Sequence, residues 1–132
     1  MTTPHVAKPP RSALVTFTQA TLLFEAFATL FATLVLWGLG RGGQVSIDSG
    51  FVWGAGGVLA VLFMLASGAA SRRAGRILGW VLHLPLIAAG VLEITIAVVG
   101  VMFLAVYALG VRLGSRIDRE RAERAVTEGD TE

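Results

Sequence analysis

Residues 77–113 read ILGWVLHLPLIAAGVLEITIAVVGVMFLAVYALGVRL, a stretch of 37 positions interrupted by charge or a readily charged group only at His83, Glu93 and Arg112. As one helix this stretch would reach roughly 55 Å at about 1.5 Å per residue, against a hydrocarbon core about 30 Å thick. One span is too few. The polar step Leu92-Glu93-Ile94-Thr95 divides it. The reading is a third helix over about 76–92 and a fourth over about 95–113, with Glu93 at the water boundary.

Working outward, two more apolar runs precede this pair. Ala13 to Leu39 is long enough to span with some tilt. A secretory signal would have an apolar core of about 7–15 residues and an A-x-A-like end. This run is longer and closes on Trp37-Gly38-Leu39-Gly40-Arg41, so it is read as the first membrane helix. A Gly-rich loop over 40–50 leads to the second run, over 51–70. The tight basic turn Ser71-Arg72-Arg73-Ala74-Gly75-Arg76 follows. Residues 1–12, with Pro4, Lys8, Pro9 and Pro10, read as a disordered polar tail.

Charge tests the count of spans. Four spans with the N terminus inside leave Lys8, Arg11, Arg72, Arg73, Arg76, Arg112, Arg116, Arg119, Arg121 and Arg124 on the cytoplasmic side and Arg41 alone outside. Three spans would move the last five arginines outward and abolish the bias. Basic residues concentrate on the side from which a chain is inserted. The pattern therefore predicts an all-α transmembrane four-helix bundle in the cell membrane, with both termini cytoplasmic. Trp37 and Trp53 fall at the outer ends of the first two helices and Trp80 near the inner end of the third, as interfacial indoles do. The segment 115–132 is polar. Its i,i+4 pairs Arg116–Glu120, Arg119–Glu123 and Glu120–Arg124 predict that the fourth helix continues two or three turns into the cytoplasm and frays after Thr127.

Composition agrees. Hydrophobic residues make up 55% and charged residues 15%, where soluble domains carry about 25% charged. Mean hydropathy is +0.72. The basic pI near 9.9 follows from arginines flanking the spans; nucleic acid is not expected as a partner, and the lipid bilayer is. With no cysteine, disulfides and thiolate chemistry are excluded. No phosphate-binding loop, nucleophile–base pair or metal-ligand spacing is present, so no cofactor and no enzymatic activity are expected.

Polar residues inside the spans are the candidates for function. Glu25 lies near the middle of the first helix, where a carboxylate is costly and must face the bundle. Thr18, Thr21, Glu25, Thr29 and Thr33 recur at spacings of 3 and 4 and share one helical face. The stripe reads either as a proton or ion path or as a hydrogen-bonded assembly contact between helices, the second being preferred. His83 falls roughly 9–10 Å inside the third helix, at a depth shared by Gln19 and Tyr107, so a Gln19–His83–Tyr107 cluster is geometrically possible. Glu25 is expected deeper than His83, so no direct Glu25–His83 pair is read from the sequence. Pro85 removes a backbone donor beside this cluster and predicts a kink. Small residues at packing intervals, among them Gly56, Ala60 and Gly68, Gly75, Gly79 and Gly90, and Gly100, Gly110 and Gly114, serve either internal packing or a dimer.

Several of these segments together resemble a family of small actinobacterial membrane proteins of unknown function, typically encoded beside folylpolyglutamate synthase. They are Leu23-Phe24-Glu25-Ala26, Arg72-Arg73-Ala74-Gly75-Arg76, Gly79-Trp80-Val81-Leu82, Ala89-Gly90, Val99-Gly100-Val101-Met102-Phe103 and Gly114-Ser115-Arg116-Ile117-Asp118-Arg119-Glu120. The resemblance covers roughly residues 11–122. The chain departs from the pattern at His83, where an amide is expected, and at Glu93-Ile94-Thr95, where a proline hairpin is expected. The resemblance implies a four-pass fold and an uncharacterised role, and it supplies no catalytic residues.

The leading functional expectation is a non-enzymatic membrane protein acting through helix–helix association. It would be a homo-oligomer, parallel because of the charge bias, or an accessory subunit of a larger membrane complex. The alternative is a small proton-coupled transporter using Glu25. An ion channel ranks third, since nothing resembles a selectivity filter.

Overall fold

The computed structural model describes residues 9–129 and is all-α. The expected disorder of the first residues, Pro4 and Lys8 among them, lies outside the described residues. Four helices follow one another: α1 (Ala13–Arg41), α2 (Ser49–Gly68), α3 (Arg73–Ala88) and α4 (Ile94–Gly129), with a 3₁₀ turn at Ala89–Val91 between the last two. Each is long and apolar enough to cross a membrane.

Local chemistry sets the boundaries. A helix leaves its first N–H groups without intrahelical acceptors, and a side-chain oxygen just ahead of it can take one. Ser12 does this for α1, accepting the Val15 N–H at 3.3 Å, and Asp48 does it for α2, accepting the Phe51 N–H at 2.8 Å. Asp48 thus starts α2 at Ser49. α1 closes through Gly43, whose φ of +71° lets the Gln44 N–H reach back to the Leu39 carbonyl at 3.0 Å.

The third helix departs most from expectation, beginning at Arg73 rather than about residue 76 and ending at Ala88 rather than about residue 92. Pro85 lies inside it, has no N–H and leaves the Val81 carbonyl without its helical donor. Three residues later the helix tightens into the 3₁₀ turn, with Leu92 N–H on the Ala89 carbonyl at 2.9 Å. α4 runs farther than the two or three extra turns expected. Its apolar part ends at Leu113, and Ser115–Gly129 continues as a polar helix for about 22 Å. The Arg116 Nε–Glu120 Oε1 contact of 2.8 Å lies along it.

The helices form a ring in which each packs on its chain neighbours. α1 also packs along α4, α1 and α3 face each other across the diagonal, and α2 and α4 do not touch. Leu22, Ala26, Phe63, Leu82, Leu86 and Tyr107 make the centre. Phe24, Phe27 and Phe31 of α1, Leu84 of α3 and Ile94 of α4 point outward and are exposed. Water would not tolerate so continuous an apolar skin; a bilayer solvates it.

One end of the bundle gathers the start of α1, the α2–α3 turn and the polar part of α4, and with them nearly all the arginines. This is the basic end; the far end carries Arg41, Asp48 and Glu93. The basic half is tight. A Cβ on Gly114 would stand 2.5 Å from Leu14 Cα, and one on Gly75 would overlap the Ala69 carbonyl. The Ser67 hydroxyl donates to the Gln19 carbonyl at 2.9 Å. The far half keeps close contacts at Gly56 and Gly90 but also opens two clefts beside α1.

Candidate functional site

Glu25 projects from the middle of α1 and is fully buried, as is His83 on α3. The two meet: His83 Nε2 lies 2.9 Å from Glu25 Oε1. The sequence did not reveal this pair, because the depth reckoning set His83 shallower than Glu25. The depth reckoning put the start of the third helix near residue 76. From Arg73, His83 lies about 15 Å along α3, and Glu25 lies about 18 Å along α1 from Ala13. Two long side chains close a gap of about 3 Å without difficulty.

The other nitrogen of the ring fixes its chemistry. His83 Nδ1 is 2.7 Å from the Gly79 carbonyl, which can only accept, so Nδ1 carries a hydrogen. Nε2 is then either a bare acceptor or the second N–H of an imidazolium. In the first case Glu25 is a carboxylic acid donating to Nε2. In the second it is a carboxylate accepting from it. Either way the contact holds one proton between the two groups and the pair is neutral as a whole, which suits an apolar interior.

Aromatic rings enclose the pair. Phe63 of α2 stands edge-on to the His83 ring at 5.9 Å, and Tyr107 of α4 lies tilted over it at 5.3 Å. Tyr107 spends its hydroxyl on the Arg76 carbonyl, at 2.8 Å. It comes this close because α3 has glycine there: a Cβ on Gly79 would stand 2.5 Å from the Tyr107 oxygen. Of the Gln19–His83–Tyr107 cluster that the depths allowed, half is present. His83 and Tyr107 meet, but the Gln19 side chain hydrogen-bonds neither, and Gln19 contributes only its backbone carbonyl, to Ser67.

The whole threonine stripe of α1 is buried. Thr21 and Thr33 return their hydroxyls to the carbonyls four residues back, at 2.9 and 2.8 Å. Thr33 also fills the notch left by Gly56 on α2. Among the described residues, Glu25 Oε2 and the hydroxyls of Thr18 and Thr29 have no hydrogen-bond partner. Two apolar clefts flank α1 in the far half, one of about 710 Å³ between α2 and α3 and one of about 450 Å³ between α1 and α4. Thr29 lines both, one helical turn from Glu25. Among the described residues no three His, Cys, Asp or Glu side chains gather into a metal-ligand set.

Asp118 was missed. From the polar part of α4 it reaches across the basic end and receives the Ser12 hydroxyl, the Ala13 N–H at 2.7 Å and the Leu14 N–H at 3.1 Å. These donors, the Ser12 hydroxyl foremost, hold its carboxyl below the usual carboxylate range. Arg121 adds a bond to the Arg11 carbonyl at 3.4 Å. An acid isolated among arginines was the one available signal. Asp118 entered the sequence reading only within the segment Gly114-Ser115-Arg116-Ile117-Asp118-Arg119-Glu120 that carries the family resemblance.

No curated protein and no solved structure matches the chain. A family model does, across residues 16–123, a segment that holds all four apolar spans, the Glu25–His83 pair and Asp118. The chain belongs to that family, described as proteins of unknown function, DUF4233.

Proposed function

We propose that this membrane protein is a small, non-enzymatic proton-coupled carrier whose exchanging element is the Glu25–His83 pair. One observation carries the reading: a carboxyl and an imidazole lie 2.9 Å apart, within hydrogen-bond reach and fully buried, in the middle of the bundle. Intramembrane ionisable groups are expensive and concentrate on ion and proton pathways. The packing supports it. The basic half is closed around α1, while the clefts of the far half reach Thr29, one turn short of the pair. In the orientation set by the arginines, both termini are cytoplasmic and the clefts face the outer leaflet of the cell membrane. Removing or adding a proton would leave one buried charge, a state that a shift of α3 against α1 could relieve by admitting water.

Solute uptake or efflux in vesicles carrying the protein, with and without an imposed pH gradient, tests this. Gradient-driven movement is expected, lost in Glu25→Gln. If the Gln variant, inserted at the wild-type level, moves solute and protons as the wild type does, the reading fails.

A second reading, association with another membrane chain, keeps one observation. Most glycines of α3 and α4 are used inside the bundle, but an added Cβ at Gly54, Gly57 or Gly68 of α2 meets nothing, beside exposed Val58 and Val61. Close approach of a second helix there suits small-residue packing. Crosslinking in native membranes that yields only monomer would remove it.

A further inference from the structure

We propose that the cleft between the far halves of α1 and α4 binds a single-chain cationic amphiphile, an alkylammonium, taken up sideways from the adjoining leaflet. The proposal goes beyond proton exchange and stands whether or not the Glu25–His83 pair titrates.

The cleft is apolar along its length, walled by Ala28, Ala32 and Val35 of α1 and by Ile96 and Val99 of α4. From Thr29 to Leu39 it follows α1 for ten residues, about 15 Å. That length suits one extended alkyl chain, and the volume, about 450 Å³, lies within the range of small-ligand sites. Its two ends are polar. At the mouth stand Glu93 and Thr95; at the inner end stands Thr29, a residue 3% exposed whose buried hydroxyl has no hydrogen-bond partner among the described residues.

Glu93 supplies the sign of the head group. It is the one charged residue of the lining. Both of its intrachain bonds fall on Oε1, from the Thr95 hydroxyl at 2.8 Å and the Thr95 N–H at 3.3 Å. These bonds orient the carboxyl and hold its pKa below the ordinary value. The other charges of the far end, among the described residues, are Asp48, which caps α2, and Arg41, whose guanidinium lies 5.2 Å over the Trp37 ring. Two acids and one base leave this end negative, which favours a cationic head and disfavours an anionic one. The larger cleft between α2 and α3 has no charged lining residue and offers no such anchor.

The test is equilibrium binding of radiolabelled dodecyltrimethylammonium to the full chain in phosphatidylcholine nanodiscs, with dodecanol and dodecyl sulfate as competitors. Saturable binding above empty nanodiscs is expected, displaced poorly by the sulfate. Glu93→Gln keeps an acceptor for Thr95 and should weaken binding about threefold to fivefold, the scale of one exposed charge pair. It should leave dodecanol unaffected. Ala28→Trp fills this cleft without lining the other and should abolish binding of both. Glu25→Gln should bind as the wild type does. Binding no better than to empty nanodiscs, a Glu93→Gln variant equal to wild type, or displacement by the sulfate as effective as by the cation would overturn the proposal. Loss of binding in Glu25→Gln alone would also overturn it, placing the cation at the pair instead.

Discussion

Replacing Glu25 with Leu and His83 with Phe, singly and together, tests whether the two side chains hold one proton between them. Glu25→Leu leaves the carboxyl's place apolar and strands His83 Nε2 in the interior beside Phe63 and Tyr107. His83→Phe strands Glu25 Oε1 in addition to Oε2, which already lacks a partner. A buried polar group that loses its partner costs about 1–3 kcal/mol. The double variant removes both groups and substitutes apolar side chains of similar volume, and such exchanges are often neutral or stabilising. The two single losses should therefore sum to more than the double loss. Hydrogen-bond cycles inside membrane bundles average about 0.6 kcal/mol and reach about 1.7. A pair sharing a proton in a wholly buried site belongs at the upper end, so a coupling of about 1–2 kcal/mol is expected. Reversible unfolding in mixed micelles titrated with a denaturing detergent, followed by far-UV circular dichroism, reads it. A coupling within about 0.3 kcal/mol of zero, the scatter expected of independent sites, would refute the pair.

Further outcomes follow from the same packing. Gly79→Ala sets a methyl against the Tyr107 oxygen and should detach it from the Arg76 carbonyl, destabilising by about 1–3 kcal/mol; thermal melting followed by Trp80 fluorescence, 5.3 Å from the Tyr107 ring, reports it. Asp118→Ala removes the acceptor shared by Ser12, Ala13 and Leu14 and should speed hydrogen exchange at the start of α1 without disturbing the middle of the bundle. The Asp118 carboxyl is held lower in the folded chain than in the unfolded one. Its contribution is therefore complete above the unfolded pKa of about 3.9 and is lost as pH falls through the folded one, so the protection of residues 13–15, corrected for intrinsic exchange, should hold in mild acid and fall only below that value, and the Ala variant should lack that response. A fluorescent reporter fused after Glu132 should light up in the cytoplasm; a periplasmic signal would reverse the orientation drawn from the arginines.

Four helices were legible because each is a local matter. Twenty apolar residues between polar breaks make a span whatever its neighbours do, and the thirty-seven residues ending at Leu113 could not be one. The buried face of α1 was legible too, since Thr18, Thr21, Glu25, Thr29 and Thr33 repeat with the period of the helix. What faces that stripe was not legible. Contact between helices depends on their relative shift and rotation, and a helical period says nothing of either. Placing the start of the third helix three residues late moved His83 by about 4.5 Å and hid its bond to Glu25. Gln19 was grouped with His83 by depth alone, while rotation about α1 leaves only its carbonyl in use. Asp118 lies 106 residues from the hydroxyl it binds, a separation no local pattern spans. The chain by itself determined four helices long and apolar enough to cross a membrane and which side of α1 is polar. Only the packing of α3 and α4 against α1 decided that a carboxyl, an imidazole and a helix-capping aspartate each found their partner.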